Sequence, residues 1–149
     1  MVSCKTTTIP VVISAVTDPA TSGLAKTNEK PGGNITGVSD LTPVEKQINL
    51  LKEILPSAKK IAIMYCSAED NSIFQGNIAL EAAKQRNLNA KVYKVSDSND
   101  IQAVAAQIVS DQVDVVYIPT DNLLATYMRY FWVKKFKKKI TLSIHLIIW

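Results

Sequence analysis

The chain alternates short runs of β-branched and aromatic residues with longer stretches of helical spacing, and this alternation most limits the folds it can adopt. Four runs are predicted to be strands: Ile9 to Val16, Ile61 to Tyr65, Lys91 to Val95 and Val113 to Ile118. Strands separated by helices imply a parallel sheet with right-handed crossovers. The second and fourth runs are apolar enough to be buried on both faces, as such a sheet requires. We therefore predict an α/β fold, a parallel sheet with flanking helices.

Helical spacing predicts three helices, over residues 44–55, 73–87 and 101–109. Apolar side chains three or four positions apart mark the side of each helix that packs inward. The predicted inward residues are Val44, Ile48, Leu51 and Leu55 on the first helix, Phe74, Ile78 and Ala82 on the second, and Val104, Ala105 and Ile108 on the third.

A turn at residues 30–34 and a short extended piece at 36–40 separate the first strand from the rest and indicate a crossing between two lobes. We predict three parts on this basis. Residues 1–40 are the remnant of a first lobe, residues 41–122 form a second α/β unit, and residues 123–149 form a tail.

Charge is distributed unevenly along the chain. All 13 acidic residues lie at or before Asp121, together with 11 of the 17 lysines and arginines, so residues 1–122 have a net charge of −2 and the tail one of +6. The main part lacks clustered basic residues, and no nucleic-acid partner is expected. Lysines interleaved with Phe131, Trp132 and Phe136 are typical of a segment that lies on an anionic membrane. We favour instead a truncated or frameshifted reading frame, because the sequence changes character abruptly where the tail begins.

Several kinds of chemistry lack the residues they need. No glycine-rich turn follows the last three strands, which argues against nucleotide binding. The single histidine, His145, lies in the tail, so Ser67 and Cys66 have no visible base and are not expected to act as nucleophiles. Cys66 is interpreted as a buried structural residue, and with Cys4 it allows one disulfide at most. No cysteine and histidine cluster suits zinc, so no metal, cofactor or enzymatic activity is expected.

Polar segments follow each predicted strand, at residues 17–19, 67–72, 96–100 and 119–122. Ligands of open parallel sheets bind outside the carboxyl ends of the strands. The carboxylates here can accept from an ammonium group, while hydroxyls and helix N-terminal N–H groups can donate to a carboxylate, which suits a small zwitterion. N-capping is the commoner role of any one such residue. The candidate caps are Asn71 or Ser72, Asn99 or Asp100, and Asp121 or Asn122.

Six blocks of the sequence are distinctive: AVTDP at 15–19, KPGGNITGVSD at 30–40, TPVEKQ at 42–47, LKEILP at 51–56, SDSND at 96–100 and YIPTDN at 117–122. These blocks resemble the substrate-binding proteins of bacterial ABC transporters, specifically the family that includes tryptophan and tyrosine binders. The resemblance covers Ile9 to Asn122. It implies a type I periplasmic-binding-protein-like fold, present here as one lobe plus part of the other, that closes on its ligand.

The same resemblance implies a binding site. Carried over by position, and with Ser67 added from its place after a strand, the ligand-binding residues are Thr17, Asp18, Ser67, Glu69, Asn71, Ser72, Thr120, Asp121 and Asn122. An aromatic ligand has Tyr65 and Phe74 as candidates for stacking, although we favour a core position for both. A chain that lacks most of one lobe is expected to bind in the millimolar range or not at all.

The function implied is that of a solute-binding component of an ABC importer, with an amino acid as ligand, an aromatic one being favoured, and an ABC permease as partner. An extracytoplasmic location, periplasmic or lipid-anchored, is implied as well, although no signal peptide is recognisable here. The alternative is a sensory ligand-binding domain of a transcriptional regulator with the same fold. A flavodoxin-like enzyme or phosphate binder is supported only by the β/α alternation.

Overall fold

A computed structural model describes residues 6–127 of the chain. This part divides into two compact units, with the boundary between Thr42 and Pro43. The elements in chain order are β1 (Val11–Val16), β2 (Ile35–Ser39), α1 (Val44–Ile54), β3 (Lys60–Cys66), α2 (Asp70–Gln85), β4 (Asn89–Val95), α3 (Asp100–Ser110) and β5 (Val115–Tyr117). The predicted alternation is present, with β2 added where a short extended piece is predicted. The interpretations of the tail concern residues 128–149, which lie outside the described part.

The first unit contains a two-stranded parallel sheet, in which β1 pairs with β2. β1 begins directly after Pro10, whose nitrogen has no hydrogen to donate to a neighbouring strand. Gly37 permits the close pairing, because a Cβ at this position would collide with the carbonyl group of Ile13. Val12 and Val38 are 77% and 63% exposed, so this small sheet leaves apolar side chains in contact with solvent.

The second unit is built on a three-stranded parallel sheet of order β4–β3–β5. Alternate side chains of the central strand β3 point into two separate apolar clusters. Ile61 and Ile63 pack with residues of α1 and α2, whereas Ala62 and Met64 pack with residues of α3. Helices therefore cover both faces of the sheet. This explains why every residue of β3 after Lys60 is buried, as the apolar run predicts.

The helices agree with prediction except on the inner side of α2. On α1 and α3 most of the predicted apolar residues are buried or packed against the core. On α2 the predicted stripe holds in part, since Ala82 is buried and Ile78 packs against the core, whereas Phe74 is only half-buried and outside it. The residues that α2 buries are Ser72, Gln75, Gly76, Ala79, Ala82 and Ala83. These are mostly small, which lets the helix lie close to the sheet. Within residues 6–127 no helix combines the length and apolar character needed to cross a bilayer.

Candidate functional site

Seven of the nine predicted ligand-binding residues lie at the carboxyl ends of two neighbouring strands. They are Ser67, Glu69, Asn71 and Ser72 after β3, and Thr120, Asp121 and Asn122 after β5. Because β3 and β5 are paired in parallel, their following loops leave the same edge of the sheet. We call this region, residues 66–75 with 119–124, the carboxyl edge. The other two predicted residues, Thr17 and Asp18, follow β1 in the first unit.

Asp121 joins the two loops of the carboxyl edge from a buried position. Asp121 is only 2% exposed, and the two oxygens of its carboxylate accept from different backbone groups. Oδ2 accepts from the N–H of Cys66 at 2.6 Å, and Oδ1 accepts from the N–H of Leu124 at 2.8 Å. The second bond caps the helical residues 122–127, so the capping prediction for Asp121 is confirmed.

Glu69 makes a second connection between the same loops. Its Oε1 accepts from the N–H of Leu123 at 3.0 Å, and its Oε2 accepts from the backbone N–H and side-chain amide of Asn122 at 3.1 and 2.9 Å. A carboxylate at the start of a helix also interacts favourably with the helix dipole. Glu69 and Asp121 thus use their negative charge to hold the backbone between β5 and the next helix.

Thr120 is held by three side chains of α2. Its backbone oxygen accepts from Asn71 Nδ2 at 2.9 Å and from Ser72 Oγ at 3.4 Å. Its hydroxyl oxygen accepts from Gln75 Nε2. Gln75 is fully buried and is absent from the predicted site. The signal that was available is its spacing from Ser72: two polar residues three positions apart fall on the buried side of the helix.

The capping predictions for α2 are wrong, and those for α3 hold only in part. Asn71 and Ser72 are interior residues of α2, because the helix starts at Asp70 with Glu69 as its N-cap. Asn99 is the N-cap of α3, but its side chain makes no capping bond. The carboxylate of Asp100 instead accepts from the N–H of Ser96 at 2.9 Å, and that bond lowers the pKa of Asp100.

Ser67 and Cys66 lie where β3 meets the end of β4. Ser67 is exposed, and its hydroxyl donates to the backbone oxygen of Val95 at 3.2 Å. Since the single hydroxyl hydrogen is used in this way, the lone pairs of Ser67 Oγ remain to accept from a ligand. Cys66 is only 3% exposed, which confirms its interpretation as a buried residue.

Thr17 and Asp18 form a turn at the end of β1. The backbone oxygen of Thr17 accepts from Ser39 Oγ at 2.5 Å, which connects the ends of the two strands. Asp18 Oδ1 accepts from the N–H of Thr21 at 3.0 Å and from Asn28 Nδ2 at 3.2 Å. The bond from Thr21 is the main cause of the lowered pKa of Asp18, so its carboxyl group is ionised at neutral pH.

The two aromatic candidates for stacking differ in their surroundings. Tyr65 is 2% exposed and packs in the core against Gly76, as favoured from the sequence. Phe74 is half-buried on the first part of α2. Across residues 6–127, no three metal-binding side chains come together.

The second unit is an α/β fold with polar side chains gathered where parallel strands end, the place where proteins of this class bind small ligands. A family model described as ABC transporter substrate binding protein matches residues 1–145. The chain belongs to this family, and the resemblance found in the sequence is confirmed. The match continues beyond Asn122, where the resemblance in the sequence ends. Substrate binding is a non-enzymatic role, which agrees with the expectation that the chain is not an enzyme.

Relatives support the same assignment. The chain is 39% identical over 120 residues to a tyrosine-binding protein of Clostridioides difficile strain R20291, an alignment that covers 80% of this chain and 34% of the relative. The structure of the present chain is similar to that of the ABC domain from Streptococcus pneumoniae in complex with L-Trp. The TM-score is 0.77, and the identity is 35% over 85% of this chain and 43% of that one.

Two further solved structures are similar. A conserved domain protein from Vibrio cholerae gives a TM-score of 0.79 at 36% identity, covering 89% of this chain and 44% of that one. The ligand-free, open structure of a substrate binding protein with adhesive properties from Clostridium difficile gives 0.62 at 41% identity, covering 83% and 41%. The periplasmic-binding-protein-like fold is confirmed. The chain spans less than half the length of each of these relatives.

Proposed function

We propose that the chain is part of the solute-binding component of an ABC importer and binds an aromatic amino acid at the carboxyl edge. Two relatives carry names that refer to tyrosine and to L-Trp, and this supports an aromatic ligand. The proposal includes an extracytoplasmic location and delivery of the ligand to an ABC permease. The observation that carries it is the convergence of seven predicted residues at the ends of β3 and β5.

The residues divide into two roles in this proposal. Ser67 and Thr120 contact the charged groups of the ligand, because each is at least partly exposed and keeps hydrogen-bonding capacity. Ser67 Oγ accepts from the ligand ammonium group. The second role is to hold the two loops in place, and it belongs to Glu69, Asn71, Ser72, Asp121 and Asn122. Of these five, Asn71 and Asn122 are also near enough to the surface to reach a ligand. Thr17 and Asp18 are proposed as ligand contacts by their position in the family pattern.

Phe74 is the proposed contact for the aromatic ring. It lies three residues after Asn71, so the two side chains are neighbours on the surface of α2. It is half-buried and therefore leaves part of its ring for stacking. Tyr65 is excluded from this role because it is buried against Gly76.

The test is a titration of the whole chain, labelled with ¹⁵N, followed by NMR. L-Trp and L-Tyr are expected to shift the amide signals of residues 67–75 and 119–122 in proportion to ligand concentration, as binding in the millimolar range requires. L-Ala, a zwitterion without a ring, is the control ligand and is expected to bind more weakly. Phe74→Ala is expected to weaken L-Trp binding by about tenfold and to leave L-Ala unchanged, since an aromatic pair contributes about 0.5–1.5 kcal/mol beyond its buried area.

The matched control variant is Leu80→Ala, which also shortens a half-buried apolar side chain of α2 but lies six positions after Phe74, on a different side of the helix. It is expected to leave both affinities unchanged. The proposal is wrong if neither aromatic amino acid shifts these signals up to its limit of solubility.

A further inference from the structure

Gln75 is a fully buried polar residue whose position in the apolar face of α2 needs a physical reason. A buried amide is costly unless it is hydrogen-bonded, so its partners indicate why it is there. Gln75 Nε2 donates to the backbone oxygen of Asn71 at 3.4 Å and to Thr120 Oγ1. A backbone carbonyl can only accept, so the amide nitrogen rather than the amide oxygen must face it. The direction of the bond to Thr120 follows: Gln75 donates and Thr120 accepts.

This bond determines what the Thr120 hydroxyl can offer to a ligand. A threonine hydroxyl has one hydrogen to donate and two lone pairs that accept. The Gln75 amide occupies one lone pair, and nothing in the described chain accepts the hydroxyl hydrogen. The backbone oxygen of Thr120 accepts from Asn71 and Ser72, which holds the backbone in place. The hydroxyl can then move only by rotation about the side-chain bonds of Thr120. Thr120 is half-buried, and its hydrogen is therefore open to an acceptor that arrives from solvent.

We infer that Gln75 is a positioning residue that fixes the Thr120 hydroxyl as a hydrogen-bond donor toward the carboxylate of an amino-acid ligand. The inference rests on the proposed function and adds to it the ligand group that Thr120 recognises. In this arrangement the Thr120 hydroxyl donates to the ligand, whereas the Ser67 oxygen accepts from it. The pair of hydroxyls then presents one acceptor for the ammonium group and one donor for the carboxylate.

The first test needs no ligand. Three-bond NMR couplings to the Thr120 methyl carbon report whether its side chain occupies one rotamer or several. One rotamer is expected in the wild-type chain, and averaging over several is expected in Gln75→Met. The matched control is Gln47→Met, which removes the other buried glutamine, on α1, where it accepts from Tyr117. This control is expected to leave the Thr120 couplings unchanged. Unchanged couplings in Gln75→Met would overturn the inference.

The second test asks whether Gln75 acts through Thr120 on the carboxylate. L-Trp is compared with tryptamine, which has the same ring and ammonium group but no carboxylate. Both Thr120→Val and Gln75→Met are expected to weaken L-Trp binding by about tenfold, the loss of one charge-assisted bond, and to leave tryptamine binding unchanged. The double variant is expected to be no worse than Thr120→Val alone, because Gln75 has no separate contact with the ligand.

The outcomes separate this inference from the proposed function. If the wild-type chain binds L-Trp but the losses in the double variant multiply, or tryptamine weakens equally, Gln75 acts only by supporting the fold and the inference is wrong. If neither compound binds, the proposed function and the carboxylate assignment fail together, while the couplings still decide whether Gln75 fixes the hydroxyl. Gln47→Met must keep the wild-type preference for L-Trp over tryptamine for the inference to stand.

Discussion

Replacement of Asp121 by asparagine tests how much the carboxyl edge depends on one buried carboxylate. Asparagine has nearly the same shape but only one oxygen, so its amide nitrogen must face the N–H of either Cys66 or Leu124. Both bonds lose their charge assistance, and one buried N–H group is left without an acceptor. We expect Asp121→Asn to lower the free energy of unfolding by about 2–3 kcal/mol.

The assay is urea unfolding of the whole chain, followed by far-UV circular dichroism. For a slope of about 1.5 kcal/mol/M, the expected loss moves the midpoint down by about 1–2 M. Asp40→Asn is the matched control, because it makes the same chemical change at an exposed position. Its midpoint is expected to stay within about 0.3 M of wild type, as surface substitutions usually change stability by less than about 0.5 kcal/mol. An Asp121→Asn midpoint as close to wild type as the control would refute the reasoning.

Three further substitutions test other parts of the second unit. Burial raises the pKa of Tyr117, so above about pH 10 this tyrosine ionises in the unfolded chain before it does in the folded one, and the free energy of unfolding falls. Tyr117→Phe is expected to make this fall smaller in urea unfolding at pH 9–12. Hydrogen bonds, chiefly from Lys91, lower the pKa of Asp111 to about 2, so it stabilises the fold above its ordinary pKa of 3.8 and less as the pH falls toward 2. Asp111→Asn is therefore expected to flatten the acid limb of the same measurement, and an unchanged limb would count against the interaction. A Cβ on Gly76 would lie 2.5 Å from the Tyr65 ring, so Gly76→Ala should cost about 1–3 kcal/mol in thermal unfolding although alanine favours helix.

The sheet was predictable because its strands carry their own signal. β3 is apolar on both faces, and such a run between two helices is typical of a parallel sheet with helices packed on both of its faces. The inner side of α2 was not predictable in the same way. Its buried positions hold Ser72, Gln75 and small residues, so a search for large apolar side chains selects Phe74 and passes over Ser72 and Gln75.

The gathering of these polar residues at one edge of the sheet was predictable from the sequence, but the hydrogen bonds among them were not. The rule that ligands bind outside the carboxyl ends of parallel strands needs only the order of strands and loops. The bonds that Glu69 accepts from Asn122 and Leu123 join residues more than 50 positions apart, and no local pattern predicts them. From the sequence, a carboxylate that caps a distant helix and one that receives a ligand look the same.

The bonds of the two carboxylates also limit how a zwitterion can be recognised at the carboxyl edge. Glu69 and Asp121 each accept from backbone N–H groups at the start of the helical residues 122–127. An ammonium group that displaced these N–H groups from the carboxylate oxygens would leave them without acceptors, at about 1–3 kcal/mol each. Such a ligand would lose about as much as a charge-assisted bond contributes. Recognition through Ser67 and Thr120 avoids that cost, because it uses a lone pair and a hydrogen that the fold does not already employ.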